Sequence, residues 1–142
     1  MATGLGPWGH GEKIYSGPDD AATIARARAW YGSDVTSFYD GTSSSAALTG
    51  VASQAAIDEC PGATFTGIAL EFGTLPLNAM LQALRADQWL TNHPDAPTTV
   101  RAAINRQMRD AFYDDSVAWQ AIVYGQARTA VFQAVRSLAS EP

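Results

Sequence analysis

The sequence predicts an α/β protein in which one short buried strand is followed by three consecutive C-terminal helices. Residues 64–74 are rich in β-branched and aromatic side chains, in a run too short for a typical helix, which favours a strand. After Gly73, apolar residues recur at helical spacing in three segments, at about 76–90, 98–112 and 116–138. The length of 142 residues predicts a single domain, 1–142, that is long enough to bury a core.

Side chains along the predicted strand alternate between its two faces. One face carries Thr66, Ile68, Leu70 and Phe72, and the other carries Phe65, Gly67, Ala69 and Glu71. The second face is small and apolar until it ends in the carboxylate of Glu71. An acid at the carboxyl end of a buried strand lies where open α/β sheets place ligands and catalytic groups, so Glu71 is the candidate catalytic residue. A solvated or salt-bridged carboxylate with no catalytic role is the alternative.

The elements before this strand are predicted from turn and cap signals. The first twelve residues hold four Gly and one Pro, which predicts an irregular loop, and residues 13–15 are a candidate short strand. Ser16 is the predicted cap of a helix that ends at Gly32. A strand at 35–39 and a helix at about 49–59 are expected next.

The three C-terminal helices each carry an apolar stripe that we expect to be buried. Thr98 or Thr99 is the predicted cap of the second helix. The stripes are Leu77, Met80, Leu81 and Leu84 in the first helix, Val100, Ile104, Met108, Ala111 and Phe112 in the second, and Val117, Ala121, Tyr124, Val131, Val135 and Leu138 in the third.

Composition excludes several function classes. The net charge is −5 and Lys13 is the only lysine, which argues against nucleic-acid binding. Cys60 is the only cysteine, so no intrachain disulfide is possible. No apolar run approaches the roughly 18 residues of a membrane span, and the first residues do not form a signal peptide, which predicts a cytoplasmic location. The low charged fraction of 16% indicates a surface that is partly meant for burial.

Several segments resemble those of bacterial carboxypeptidase-like zinc hydrolases of unassigned function, an uncharacterised branch of the zinc carboxypeptidase superfamily. Residues 3–9 (Thr-Gly-Leu-Gly-Pro-Trp-Gly) resemble the segment that follows the third metal ligand there, Asp-x-His-Thr-Gly-Leu-Gly-Pro. Residues 71–74 (Glu-Phe-Gly-Thr) resemble the motif that carries the general-base glutamate. With further matches at 83–90, 106–113 and 124–128, the resemblance spans nearly the whole chain.

The resemblance implies a partial mixed sheet with helices packed on its faces, the C-terminal portion of a zinc carboxypeptidase-like fold. It also implies a zinc-activated water that attacks an amide or ester carbonyl, with a carboxylate that takes the proton and passes it to the leaving group. Glu71 would be that carboxylate. The substrate of the complete enzyme would be a small peptide or an acylated amino acid.

The sequence departs from the family at the metal ligands. The third-ligand position falls on Ala2, and no His-x-x-Glu pair is present, since His10 precedes Gly-Glu-Lys and His93 precedes Pro-Asp-Ala. A catalytic zinc normally needs three protein ligands. We therefore expect zinc in the complete family enzyme but no metal-ligand or cofactor-binding residues here, and a C-terminal portion that is inactive alone.

The sequence leaves two other hypotheses on the function of the chain. The chain is alternatively a non-catalytic α/β assembly module, whose sheet edges and apolar faces are covered in a homo-oligomer or by a missing N-terminal half. It is alternatively an independent small metalloprotein that uses His10, Glu12 and either His93 or Glu71. Either Tyr31 or Tyr39 is a candidate for the tyrosine of a substrate cleft.

Overall fold

The structure is a computed structural model and describes residues 1–140. Within that range, the chain forms three strands and five helices. In chain order these are β1 (Ala2–Trp8), β2 (Gly11–Tyr15), α1 (Ala21–Tyr31), α2 (Ala52–Glu59), β3 (Ile68–Gly73), α3 (Leu77–Thr91), α4 (Thr98–Phe112) and α5 (Val117–Leu138).

The strands form a small mixed sheet in the order β1-β3-β2. The central strand β3 pairs in parallel with β1 and antiparallel with β2. This arrangement, with helices packed around the sheet, confirms the predicted α/β class and the three consecutive C-terminal helices. The strand predicted at 64–74 is the central one, although regular pairing begins only at Ile68.

One face of β3 packs against α5. Leu70 and Phe72 are buried there with Trp119 and Ala130 of the helix. This agrees with the predicted alternation, which puts these two side chains on the same face of the strand and Glu71 on the other. The other two clusters of buried residues are Tyr15, Ile24, Ala27, Tyr31 and Val35 around α1, and Met80, Ala83 and Ala111 between α3 and α4.

The irregular loop predicted for the first residues is wrong, because residues 2–8 form β1. The strand is irregular: its register with β3 shifts between Thr3 and Trp8, and Gly4 has a φ of 121°. The glycines were interpreted as turns, whereas they let β1 follow β3 through a bulge. The pairing partner lies about seventy residues away in sequence, so no local pattern indicates it.

Three further predictions before β3 need correction. No strand forms at 35–39, where Thr36 makes only an isolated bridge to Ile14. The cap of α1 is Asp20, whose carboxylate accepts from the backbone N–H of Thr23 at 2.8 Å, and not Ser16, which donates to Ser53 instead. Helix α2 begins only at Ala52, three residues later than predicted, and it buries none of its side chains. The end of α1 before Gly32 is confirmed.

The apolar stripes of the C-terminal helices are only partly buried. Met80 is buried in α3, but Leu77 and Leu81 of the same stripe are exposed. In α4, Ala111 is buried, and Pro97 precedes the helix without the predicted threonine cap.

The stripe predicted as the buried face of α5 is its exposed face. Trp119 and Ala130 are buried against the sheet, with Val123 and Ala127 packed beside them. Helix α5 is therefore apolar on two sides, and its smaller side chains allow the close approach to the sheet.

None of the helices in the part of the chain that the structure describes combines the length and the apolar character that a membrane crossing requires.

Candidate functional site

Glu71 lies on the face of β3 that α5 does not cover. Its Cα is paired with Ala2 of β1 on one side and with Glu12 of β2 on the other. Since residues paired across a sheet point to the same face, Ala2, Glu71 and Glu12 form one row. Phe72, the next residue of β3, is completely buried on the opposite face.

This row borders a cavity of about 230 Å³. Glu71 and Ala69 of β3, together with Ala2, form its base. Residues between 38 and 57 form its walls, among them Tyr39, whose hydroxyl donates to the carbonyl of Gly17 at 3.1 Å. The cavity is therefore an apolar recess with one half-buried carboxylate in it.

Burial raises the pKa of Glu71 above its ordinary value. A backbone hydrogen bond from Leu5 and the positive charge of the amino terminus lower it, while the negative charge of Glu12 raises it further. The net shift is upward. Glu71 thus has the environment expected of a carboxylate that takes up and releases a proton.

Glu12 has the opposite environment, although it is only 8% exposed. Its Oε1 accepts from Thr36 Oγ1 at 2.6 Å, Ser43 Oγ at 2.9 Å and the Ser44 N–H at 3.0 Å, and its Oε2 accepts from the Ser44 hydroxyl. Burial raises the pKa of Glu12, but these hydrogen bonds together outweigh it, so the pKa lies below the ordinary value.

The pKa values of the two neighbouring carboxyl groups are therefore shifted in opposite directions, down for Glu12 and up for Glu71. Glu12 stays ionised because four donors surround it, and its charge disfavours ionisation of Glu71. Paired acids whose environments separate their pKa values are the usual arrangement of acid–base chemistry in proteins. In this pair, Glu71 is the member whose affinity for a proton is raised.

Each residue of the Glu-Phe-Gly-Thr motif has its own structural task. Phe72 is fully buried beneath the strand, and Thr74 ties the strand end to α4 by donating to the carbonyl of Ala111 at 2.6 Å. Gly73 lies directly under β1, so that an added Cβ would come within 1.9 Å of the Pro7 carbonyl oxygen. The carbonyl of Gly73 also accepts from Trp119 Nε1 at 3.0 Å. The three residues hold Glu71 in position.

The Thr-Gly-Leu-Gly-Pro-Trp-Gly segment fixes β1 in the same way. Thr3 donates to the carbonyl of Phe112 at 2.6 Å, and Trp8 Nε1 donates to Asp114 at 2.6 Å. At Gly4, an added Cβ would lie 2.7 Å from the side chains of Met80 and Phe112. Both motifs therefore position the strands that carry Ala2 and Glu71.

A zinc ion does not fit the residues present. Between residues 1 and 140, no three His, Cys, Asp or Glu side chains lie close enough together to hold a metal. The side chain at Ala2 has no ligating atom. His10 lines a surface recess with Leu70, on the opposite side of the sheet from Glu71, and His93 stacks on Trp89 at 4.1 Å. The structure does not bring together the set suggested for an independent metalloprotein.

Sequence reasoning found part of this site. Of the two candidate cleft tyrosines, Tyr39 lines the cavity, whereas Tyr31 is the last residue of α1 and is buried. The sequence analysis did not identify the donors to Glu12, most of which lie in a polar segment, residues 42–45, between predicted elements. The available signal was the run of serines itself, since several hydroxyl donors need an acceptor when they are buried.

Comparison with known proteins identifies one family. The family model described as "Protein of unknown function (DUF2817)" matches residues 1–126. The matched range contains both motifs, the cavity and the first part of α5. No curated protein and no solved structure matched the chain.

Proposed function

Since the chain belongs to the DUF2817 family of proteins of unknown function, we propose that it is the C-terminal portion of a zinc-dependent amide or peptide hydrolase. The activity would be that of a carboxypeptidase or a deacylase, and Glu71 would be its general base. The 142 residues would act as one domain of the complete enzyme. The resemblance of the two motifs to zinc carboxypeptidases suggests the reaction class.

One observation carries the proposal: the pairing of Ala2 with Glu71 in adjacent parallel strands. The resemblance assigns the third metal ligand to the position of Ala2 and the base to Glu71, from sequence alone. Neighbouring strands lie about 4.8 Å apart, so side chains at these two positions reach the same small volume. The metal ligand and the general base must both act on one water molecule, and the proposal assigns them to adjacent positions of the sheet.

The environment of Glu71 supports the role of base. A carboxylate with a raised pKa accepts a proton from an attacking water more readily, and then returns it to the leaving amine. Burial and the charge of Glu12 both raise the pKa of Glu71. The hydrogen-bonded Glu12 is a poor alternative, because four donors hold it in its ionised form.

The proposal places the zinc ligands outside this chain. Residues 1–140 do not supply the three ligands that a catalytic zinc needs. We expect the 142-residue chain to bind no zinc by itself and to be inactive alone.

The cavity suggests the kind of group that the complete enzyme would accept. Its volume of about 230 Å³ is below the roughly 300–1,000 Å³ of drug-sized sites, and Leu48 and Ile57 contribute apolar walls. A compact apolar side chain of a small peptide or an acylated amino acid fits this space.

Two measurements test the proposal. The purified chain, dialysed against a trace of zinc, should contain far less than one zinc per chain, and stoichiometric zinc would contradict it. In a family member that carries the His-x-x-Glu pair, glutamine at the position of Glu71 should lower kcat by about 10²–10⁴ without loss of zinc. A matched glutamine at the exposed position of Glu59 serves as control. Full activity of the Glu71 variant would refute its role as base.

A non-catalytic assembly module is the second candidate, and the exposed faces of the helices favour it. Val117, Val131 and Leu138 of α5 and Leu77 of α3 are all more than half exposed. Exposed apolar surface on packed helices is typical of interaction sites. The family member that carries zinc distinguishes the two candidates. If the hydrolase proposal is correct, it has hydrolase activity and loses it when Glu71 is replaced; a non-catalytic module has no such activity in either form.

A further inference from the structure

The exposed side of α5 repeats with the period of a coiled coil. Its residues recur at alternating intervals of four and three over three heptads. We call this set the α5 seam: Val117, Ala121, Tyr124, Arg128, Val131, Val135 and Leu138.

The seam is uncovered in the protomer. Val117 is 81% exposed, Tyr124 68% and Leu138 62%, whereas Trp119 and Ala130 on the opposite side are 3% and 7% exposed. A helix that is apolar on both sides is normally buried on both sides. The sheet covers one side of α5, and the other side lacks a covering element among the described residues.

We propose that the α5 seam packs against the same seam of a second copy, forming a two-fold symmetric dimer. A repeat of 3.5 residues keeps two helices in contact along their whole length, which a random apolar patch would not do. Such a self-complementary surface gives the most common oligomer, the two-fold dimer. Helix α5 has 22 residues and is therefore about 33 Å long, enough for three heptads of contact.

The exposed area is sufficient for a weak, specific dimer. Burying an aliphatic side chain removes about 60–120 Å² from water, and an aromatic one about 150–250 Å². With the exposures above, and with Phe132 beside the seam at 59%, each copy offers roughly 500 Å². The pair would bury about 1,000 Å², which is the lower limit for a specific interface, so we expect a dissociation constant on the order of micromolar.

Charge favours an antiparallel pair. Arg128 and Arg136 are the only charged residues of α5, so a parallel pair would place Arg128 opposite its own equivalent. An antiparallel pair over the whole seam also places Arg128 next to its own equivalent, at the two-fold axis, but it separates the two Arg136 side chains and gives the helix dipoles a favourable antiparallel arrangement. Arg128 already turns aside, 5.3 Å from the ring of Phe132. It interrupts the seam without blocking it.

The seam begins inside the matched family domain and extends beyond it. The match ends at residue 126, whereas Arg128, Val131, Val135 and Leu138 continue the repeat. The dimer therefore does not follow from family membership, and it is independent of the proposed hydrolase activity.

Sedimentation velocity of the full chain tests the proposal. Between about 1 and 300 μM, the wild type should pass from monomer to dimer. Glutamate at both Val131 and Val135 places charges in the seam and should leave a monomer over this range. The matched control is Thr129→Glu, an exposed position of the same helix outside the seam, and it should dimerise like the wild type. Circular dichroism reports whether each variant keeps its helices.

Three results would overturn the dimer. A wild type that stays monomeric at the highest concentration would leave the seam to another polypeptide. A seam variant that still dimerises would place the interface elsewhere. A seam variant that loses its helical signal would show that these side chains stabilise the protomer itself, and the less drastic Val135→Lys would check that result.

Discussion

Replacing Glu12 with glutamine tests whether the hydroxyl-lined site beside Glu71 depends on a negative charge. The carboxylate accepts from Thr36 at 2.6 Å, from Ser43 at 2.9 Å, and from both the backbone and the hydroxyl of Ser44. Glutamine keeps the shape of the side chain but replaces one oxygen with an NH₂ group. At least one of these donors would then face another donor.

The magnitude follows from those contacts. A hydrogen bond to a charged group contributes about 1.5–3 kcal/mol, and a buried donor left unpaired costs about 1–3 kcal/mol. The hydroxyl of Thr36 has a second acceptor, the carbonyl of Lys13 at 3.4 Å, which offsets part of the loss. We expect Glu12→Gln to lower the free energy of unfolding by about 2–3 kcal/mol at pH 7. Urea unfolding with an unchanged m value measures it, and the exposed Glu59→Gln should stay within about 0.5 kcal/mol of the wild type.

The pH dependence gives the same reasoning a second check. The pKa of Glu12 lies below its ordinary value of 4.5, so the ionised form stabilises the folded state. This contribution is present above the unfolded-state pKa and is lost as the pH falls through the folded-state pKa. The difference between wild type and Glu12→Gln should therefore be constant near neutrality and shrink in acid. Equal urea midpoints of the two proteins at pH 7 would refute the reasoning. A stability difference that does not become smaller at acidic pH would also refute it.

Other substitutions have expected outcomes in the same urea assay. Because the pKa of Glu71 is raised, its ionised form opposes folding, so Glu71→Gln should be more stable than the wild type at neutral pH. This advantage should be lost as the pH falls through the raised folded-state pKa toward the ordinary value of 4.5; a loss of stability at pH 7 would contradict this. Gly73→Ala should be strongly destabilised, by more than about 3 kcal/mol, because its Cβ would meet the Pro7 oxygen at 1.9 Å. The matched change Gly125→Ala has nothing within 4 Å and should gain about 0.5–1 kcal/mol from better helix propensity. Equal effects of the two alanines would show that packing at Gly73 is not limiting.

Elements with a strong local signal could be predicted from the sequence. The alternation that places Leu70 and Glu71 on opposite faces of β3 comes directly from strand geometry. The predicted range 116–138 agrees with α5 to within one residue, since Ser116 caps it by accepting from the N–H of Trp119. These features depend on neighbours within a few residues.

The hydrogen-bonded site of Glu12 could not be predicted, because its parts are distant in sequence. The backbone N–H and the hydroxyl of Ser44 both donate to the carboxylate of Glu12, 32 residues away in sequence. The pairing of Ala2 with Glu71 likewise needs the folded sheet. Neither contact leaves a periodic pattern, and the glycines of β1 favour a loop if its partner strand is ignored.

The orientation of α5 shows a different limit. Periodicity indicates that a face is apolar but not which of two apolar faces meets the sheet. Ala127 and Ala130 lie on the covered side and allow close contact with β3, whereas the larger Val131 and Tyr124 remain outside. Hydrophobicity alone therefore does not select the buried face, which combines these small residues with Trp119, whose Nε1 donates to the carbonyl of Gly73 at 3.0 Å. The bulkier face is left for a partner.

The coupling between the two carboxyls can be measured without any metal or substrate. Burial is the first cause of the raised pKa of Glu71, and the charge of Glu12 is a further one. Glu12→Gln removes that charge and leaves the burial, so the pKa of Glu71 should fall. Carbon-detected NMR titration of the Glu71 carboxyl measures the change, with Glu59→Gln as the control that leaves it in place. An unchanged pKa of Glu71 in Glu12→Gln would show that the row of paired residues does not act as one electrostatic unit, and Glu12 would then have only the structural role of holding Ser43 and Ser44.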